Sequence, residues 1–498
     1  MPIKLGVVIT TDKSPTPSLF HFVITNKNQA VHKHQFVQLQ TDEGTLVARV
    51  SNVLNLNRYF ENPEAVRAYE TTDSMENSFP VKKWEYKVAE AIPLGIIVSG
   101  MQKRVSVPPS PGSEVFNAKN ELLQQFLGLD PNGLLLGKIA FHDVDARFNM
   151  VKLLQKHVAI LSISGGGKSH TTTVLIEELL ERDGLTPAII VIDPHGEYTG
   201  FGDDERYMSK TRVFNRESIK IGASSLTPNQ ILEFLPQMTS VQRRDLGKLI
   251  SELREERKEY GIDDIIQKIE SSKIEERTKR AMLRWMDDLK RTGLIGNVDE
   301  PGMEELVRIG GLSVIDLSDI VDLRKKQIIV AHLARKLFEA RRLKLIPPFV
   351  LIVEEAHQFA PEGVERERAI SRNIIETMAR EGRKFSASLI LISQRPIKLS
   401  TTALSQCNTQ IILRVTNPYD IKHIGESAEG ITQDVLDMIP GLKVGEALVI
   451  GEAVNYPILI KVRERKSKKK EELGDMEKAL EEFVENKKRT EEDLEAFM

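Results

Sequence analysis

The sequence predicts an α/β fold: a largely parallel sheet flanked by helices, with a small β-barrel before it and a helical insertion within it. Three observations predict this. An apolar strand near residue 160 runs through a glycine cluster into a helix-patterned segment and then a second apolar strand, the order of a βαβ unit. The first hundred residues carry short alternating segments separated by turn-rich stretches. Between about 205 and 310 the apolar residues recur at helical spacing within a charged background.

The barrel strands are expected at Leu5–Thr10, Phe20–Thr25, Phe36–Gln40 and Thr45–Val53, between the turn-forming stretches SPTPS, TNKNQ and TDEG. Val88–Val98 and the region around Val105 are expected to complete it, giving a domain over 1–107. Pro108, Pro109, Pro111 and Gly112 read as a linker. Leu134–Ile139 and His157–Ser162 are then short strands, Ser169–Arg182 a helix, and Ala188–Ile192 a buried strand of the parallel type. In the insertion, 205–310, Ile231, Leu232 and Leu235 form one apolar stripe, and Ile265, Ile266 and Ile269 another. Strands return at Leu312–Leu317, Phe349–Val353, Leu389–Ser393 and Gln410–Val415, with a helix near Asp322–Arg342. The core domain therefore spans 113–204 and 311–462, with six or more strands, mostly parallel. In the charged tail, 463–498, Leu473, Met476, Leu480 and Phe483 fall on one helical face. The tail reads as a solvated helix or disordered segment, or as a strap that docks on a neighbouring subunit.

Composition narrows the function. Of 498 residues, 41% are hydrophobic and 28% charged. No stretch approaches the ~18 consecutive apolar residues of a membrane helix, and MPIKLGVVITTDKSPTPS lacks the apolar run of a secretory signal. The expected location is cytoplasmic, with no membrane partner. The single cysteine, Cys407, makes neither an intrachain disulfide nor a CxxC metal site. A net charge of −3 supplies no global basic field, so any nucleic-acid surface must be local, as in a ring whose subunits each add a few cations to a pore.

Residues Ser162–Ser169 read S-I-S-G-G-G-K-S. The Walker A pattern is G-x-x-x-x-G-K-[ST]; Gly167, Lys168 and Ser169 fit it, and Ser162 stands where the first glycine is expected. Gly165, Gly166 and Gly167 let successive N–H groups curl toward phosphate oxygens, and the following helix adds its positive end. The segment Ser164–His170 is thus the expected ATP contact. Lys168 would reach the β- and γ-phosphates, and the Ser169 hydroxyl would ligate Mg²⁺. A chance glycine-rich turn is the bland alternative, disfavoured by the strand before the loop and the helix after it.

Phe349–Glu355, F-V-L-I-V-E-E, matches a Walker B strand, which delivers acids to the ligand-binding edge of an open α/β sheet. Glu354 is expected to hold Mg²⁺ and Glu355 to act as general base toward water. Ile190–Tyr198, I-V-I-D-P-H-G-E-Y, places Asp193 at another strand end, where it could assist the metal, with His195 and Glu197 beside it. Gln394 in I-L-I-S-Q-R-P is a candidate γ-phosphate sensor. In M-A-R-E-G-R-K, Arg380 first and Arg383 second are candidates for an arginine finger reaching a neighbour's nucleotide; surface salt bridges are the alternative.

The motifs G-G-G-K-S, D-P-H-G-E-Y, V-E-E-A-H, R-E-G-R-K, S-Q-R-P and L-S-Q-C-N-T-Q-I-I-L-R, in this order, resemble those of the archaeal HerA/FtsK family of DNA helicase-translocases. The resemblance covers about 150–455, and the N-terminal stretch is similar to the family's barrel. It implies a RecA-like P-loop ATPase core and a homohexamer with ATP and Mg²⁺ between subunits. It also implies double-stranded DNA in a central channel, and a NurA-type nuclease docked on the barrel for end resection in double-strand-break repair. On the family pattern Lys168 and Ser169 serve phosphate and Mg²⁺, Glu354 and Glu355 metal and water, Gln394 sensing, and Arg380 the neighbour's site.

Pore contacts are expected from cations aimed at phosphates, without base reading. Arg366, Arg368 and Arg372 after the acidic strand, or Arg395 and Lys398 after the sensor, could supply them. A ring that moves protein, or a nucleotide-gated clamp loading a nuclease on DNA, are the competing readings; an intact base, sensor and finger argue against the clamp.

Overall fold

The computed structural model describes residues 2–26, 30–57, 60, 62–64, 66–67, 85–365, 368–428, 431–468, 480–481 and 483–484. Two compact units divide the chain: Met1–Gly184 with Gln327–Glu464, and Leu185–Lys326 with Arg465–Met498.

In the first unit the N-terminal strands close into a six-stranded barrel. The order is Phe20–Ile24, Lys4–Ile9, Glu114–Asn117, Phe36–Thr41, Gly44–Asn57 and Glu85–Val98, and Phe20 opposite Ala91 brings the last strand back to the first. Alternate residues, among them Leu5, Phe20, Phe22, Leu39, Leu46, Val50, Ala91 and Val115, fill the interior. Closure removes the free edges that an open sheet of this size would present. The region around Val105 adds a short strand, Met101–Lys103, beside Glu85–Val98, and Val105 packs in the core; Glu114–Asn117 closes the ring, so the barrel runs past the expected boundary at 107. The proline stretch is a turn inside the barrel domain, tied back through Gly112 N–H to Val8 O (2.9 Å). Four residues are too few to show a period, which is why E-V-F-N was not legible as a strand.

The main sheet of this unit runs Phe349–Val353, Ala387–Ser393, Val158–Leu161, Thr409–Ile412, Glu446–Gly451, Ile458–Val462, Leu134–Ile139, Asp145–Phe148. The first four strands are parallel. The remaining four are antiparallel; with the three parallel strands of the second unit counted, the core strands are mostly parallel, as expected, and the antiparallel ones form one end. A fully buried apolar run reads alike in both arrangements; only the connections distinguish them. The barrel is joined to the rest of the unit: buried Arg49 of the barrel pairs with Asp434, and the Tyr456 hydroxyl donates to Leu94 O of the barrel (2.8 Å).

Among the described residues the second unit holds three parallel strands side by side, Thr211–Phe214, Leu312–Asp316 and Ala188–Asp193, a short parallel pair, Ile221–Gly222 with Ile295–Gly296, and four helices longer than one turn: Pro228–Phe234, Ser240–Glu256, Ile262–Glu270 and Glu276–Arg291. Capping boxes Thr227–Gln230 and Thr239–Gln242 start two of these. Leu246, Leu249, Ile250 and Leu253 give the second helix its buried face. The expected helical insertion thus contains a strand, Thr211–Phe214, whose pairing with Leu312–Asp316 ties the insertion to the strand that follows it. In the tail, Leu473 and Met476 lie outside the described residues; Leu480 and Phe483 are exposed. Among the described residues no helix is long and apolar enough to cross a membrane.

Candidate nucleotide site

The glycine loop sits between the buried strand Val158–Leu161 and the helix Lys168–Glu181. Gly165 (φ +72°) and Gly167 (φ +98°) take the left-handed conformation that a side chain would oppose, and Gly167 caps the helix. The first intrahelical bond runs from Thr171 N–H to Gly167 O, so the N–H groups of Lys168, Ser169 and His170 have no intrahelical acceptor. Ser164 and Gly165 are exposed at the tip, and the Lys168 ammonium rests near Ile163 O (3.5 Å).

Ser162 does not need to be glycine. Its φ is not positive, and its hydroxyl turns inward onto Ile163 O (3.0 Å) and Arg414 O (3.4 Å). The hydroxyl occupies the space beside Gly166: a Cβ there would lie 1.9 Å from Ser162 Oγ. Main-chain bonds from Ser162 N–H to Ser393 O (3.2 Å) and Ile163 N–H to Arg414 O (3.0 Å) tie the loop to both neighbouring strands. His170 is engaged through Nε2 with Arg463 O (2.8 Å), while the Arg463 guanidinium grips Glu177 and Glu178 on the same helix (2.8 Å each). The His170 side chain therefore fixes the helix from its side, so the phosphate contact expected of this residue falls to its main-chain N–H.

The strand Phe349–Val353 is buried throughout and ends in Glu354 and Glu355, 1% and 4% exposed. Glu355 adopts φ +50°, a left-handed conformation costing a non-glycine residue about 1–3 kcal/mol, of the kind that clusters at functional sites. The strand Ala387–Ser393 lies between this strand and the loop strand, with Leu161 level with Ser393. Gln394, half-buried, follows Ser393 directly. Two residues without an assigned role stand here, His357 beside Glu355 and Ser393 behind His357. His357 Nδ1 lies 3.1 Å from Glu355 Oε2 and bonds Ser393 Oγ at 3.1 Å; Ser393 Oγ also accepts Arg395 N–H (3.0 Å). Both stand inside motifs quoted above, V-E-E-A-H and S-Q-R-P, but sequence spacing does not show that they touch.

In the second unit Asp193 is fully buried. Oδ1 accepts N–H groups from His195, Gly196 and Glu197 (2.8–3.2 Å), and Oδ2 accepts that of Tyr198 (2.8 Å). Burial pushes its carboxyl up to about 6 while these N–H groups pull it down. Both oxygens are committed to organising the D-P-H-G-E-Y turn, so the metal-ligand role expected of Asp193 gives way to a structural one. Lys326, unnoticed in the sequence, is buried beside it and donates to Pro194 O (3.0 Å).

Arg380 and Arg383 are both exposed; the Arg380 guanidinium is 3.9 Å from Glu376. Glu376 is held more closely by Arg372 and Ser400 (2.7 Å each), which leaves Arg380 the loosest of its partners. Arg372 is thus an intrachain brace, also donating to Val364 O, and is removed from the pore candidates. Arg366 lies outside the described residues, and Arg368, Arg395 and Lys398 are exposed.

Comparison with known proteins agrees with this geometry. Residues 134–337 match the family model described as Helicase HerA, central domain. The DNA double-strand break repair helicase HerA of Pyrococcus furiosus is 28% identical over 88% of this chain and 88% of its own length. The protein of the same name from Sulfurisphaera tokodaii is 29% identical over 73% of this chain and 76% of its own. The solved structure of VirB4 from Thermoanaerobacter pseudethanolicus shares the fold, with a TM-score of 0.53 at 16% identity, covering 67% of this chain and 97% of that one. With its P-loop, acidic strand and intervening sensor strand in one sheet, the chain is a P-loop ATP hydrolase, and over residues 134–337 it is similar to the central domain of HerA helicases.

Proposed function

We propose that the chain is an ATP-driven translocase and helicase on double-stranded DNA. One observation carries the catalytic part: the strand ending in Glu354–Glu355 and the loop strand flank the strand ending in Ser393–Gln394. A triphosphate cradled by Gly165–Ser169 would therefore meet a carboxylate and a neutral donor at one sheet edge. Lys168 would exchange Ile163 O for the β- and γ-phosphates. Glu355 takes the proton of the attacking water, and Gln394 donates to the γ-phosphate or that water. The Ser169 hydroxyl, on an accessible helix start, and the Glu354 carboxylate are hard oxygen donors of the kind that hold Mg²⁺ together with substrate phosphates. Magnesium there would neutralise charge on the phosphate oxygens. Arg380, with Arg383 as second choice, would supply the cation to a neighbouring copy's nucleotide, a contribution of about 10³–10⁵ in rate.

The DNA part is supported by the relatives named DNA double-strand break repair helicases. The two segments considered for the pore brace each other: Pro361 pairs with Leu399, and Glu362 N–H donates to Lys398 O (2.8 Å). Arg368, Arg395 and Lys398 then form one candidate basic surface for phosphates. A homohexamer around duplex DNA, and a NurA-type nuclease on the barrel in end resection, complete the reading on the strength of the family likeness.

The test is ATP turnover by the full chain with and without duplex DNA. The parent is expected to be stimulated. Arg368→Glu with Lys398→Glu should lose the stimulation and its salt dependence while basal turnover stays. Absence of stimulation in the parent rejects the translocase reading, and equal loss of basal and stimulated rates removes these residues from the pore.

A further inference from the structure

We infer that His357 is a positioning residue for the hydrolytic carboxylate, and that Ser393 couples it to the sensor and the phosphate loop. The inference rests on the ATP-hydrolase reading and names a part of that site which none of the motif roles covers.

The left-handed turn at Glu355 redirects the chain immediately after the buried strand. The short helix Ala356–Phe359 that follows carries His357 back beside the carboxylate it has just passed, and Gln358 N–H closes the turn on Glu355 O (2.8 Å). His357 Nδ1 then stands 3.1 Å from Glu355 Oε2 and 3.1 Å from Ser393 Oγ. The contact to Ser393 has the alignment of a hydrogen bond; the contact to Glu355 is a close polar approach. A carboxylate only accepts, so it favours the proton on Nδ1, which fixes the tautomer of the ring.

Ser393 is the hinge of the arrangement. Its hydroxyl bonds His357 on one side and accepts Arg395 N–H on the other, enclosing Gln394 in a tight turn. Its carbonyl accepts Ser162 N–H, the first residue of the loop. All three contacts are made by one buried residue at the end of the strand between the loop strand and the acidic strand. A displacement of the loop or of Gln394 on binding triphosphate is thereby transmitted through Ser393 to His357, and from His357 to the orientation of Glu355. Misplacing a reacting group by about 1 Å can cost on the order of 100-fold in rate, so a side chain that only aims the base has a large lever.

The experiment measures steady-state ATP hydrolysis and affinity for a non-hydrolysable ATP analogue on the full chain with Mg²⁺. His357→Ala should lower kcat about 10- to 100-fold and leave the analogue's Kd within about twofold of the parent. His357→Asn, whose side-chain N–H can take the place of Nδ1–H, should recover most of the rate, and it also serves if the alanine variant is poorly folded. Ser393→Ala should lower kcat in the same direction, with no further loss when combined with His357→Ala. In a Glu355→Gln background His357→Ala should have no additional effect, because its influence passes through the carboxylate. An unchanged or raised kcat in His357→Ala overturns the inference. So does an equal loss of analogue affinity, or an additive loss in the Glu355→Gln background. A Glu355→Gln chain hydrolysing at the parent rate would instead reject the hydrolase assignment beneath it.

Discussion

Replacing Gly166 by alanine should damage the phosphate cradle through one contact, and a second substitution should repair it. The new Cβ would sit 1.9 Å from Ser162 Oγ and 3.2 Å from Ile163 O. Gly166 has no left-handed φ, so backbone strain is not the obstacle; the hydroxyl is. That hydroxyl has no room to retreat, being fully buried and bonded to Ile163 O and Arg414 O. The exposed loop tip yields first, which spreads the cradle. Overpacking of this kind costs about 1–3 kcal/mol, and at 1.4 kcal/mol per tenfold the expected loss in ATP affinity is roughly 10- to 100-fold. Removing the hydroxyl leaves the Ser162 Cβ at 3.3 Å from the added methyl, a tight but tolerable contact. Ser162→Ala combined with Gly166→Ala should therefore bind ATP within about fivefold of the parent. Titration of a fluorescent ATP analogue reads both variants. Parent-like affinity in Gly166→Ala, or no rescue by Ser162→Ala, refutes the reasoning.

Two further outcomes follow from buried charges. Burial lowers the His157 and His142 imidazoles from 6.5 to about 4, so the folded state binds fewer protons than the unfolded chain between those values. Stability is then fully present above about pH 6.5 and is lost as pH falls toward 4, on the order of 3 kcal/mol for each group. Urea unfolding at pH 7.5 and pH 5 should show the loss. His157→Asn should reduce it, since Asn accepts the left-handed φ of +61° and its carbonyl can replace Nδ1 as acceptor for Leu389 N–H. Asp434→Ala should cost about 1–3 kcal/mol in urea unfolding, because it leaves the buried Arg49 guanidinium without its carboxylate; Asp434 is itself part-exposed, which keeps the figure below that of a fully buried pair. Arg49→Met should cost less than Asp434→Ala, and the reverse order would contradict this account of the pair.

The parts of the site that a contiguous motif defines were legible in the sequence. Five apolar residues before two carboxylates gave the strand Phe349–Val353 to the residue. The strand–glycine–helix order placed Lys168 and Ser169 at a helix start. What was not legible depends on neighbours distant in sequence. Ser162 stands where the pattern has glycine, and the reason lies in the fold: its hydroxyl fills the space beside Gly166. Asp193 ends a core strand like the acidic pair, but its oxygens are taken by the turn that follows it. His357 and Ser393 lie 36 residues apart and meet only because the sensor strand lies beside the acidic strand. The barrel's last strand escaped notice because it is short and enters between the first and third strands from beyond a proline stretch.

The most direct measurement is hydrolysis of Mg²⁺-ATP by the parent and by Glu355→Gln, with ATP binding measured on the same samples. Binding is expected to survive the substitution within a few-fold, while the rate falls by about 10²–10⁴. Folded parent protein that neither holds nor cleaves ATP, or a glutamine variant as fast as the parent, would contradict the claim that the loop around Lys168 grips a triphosphate for the Glu355 carboxylate to attack through water.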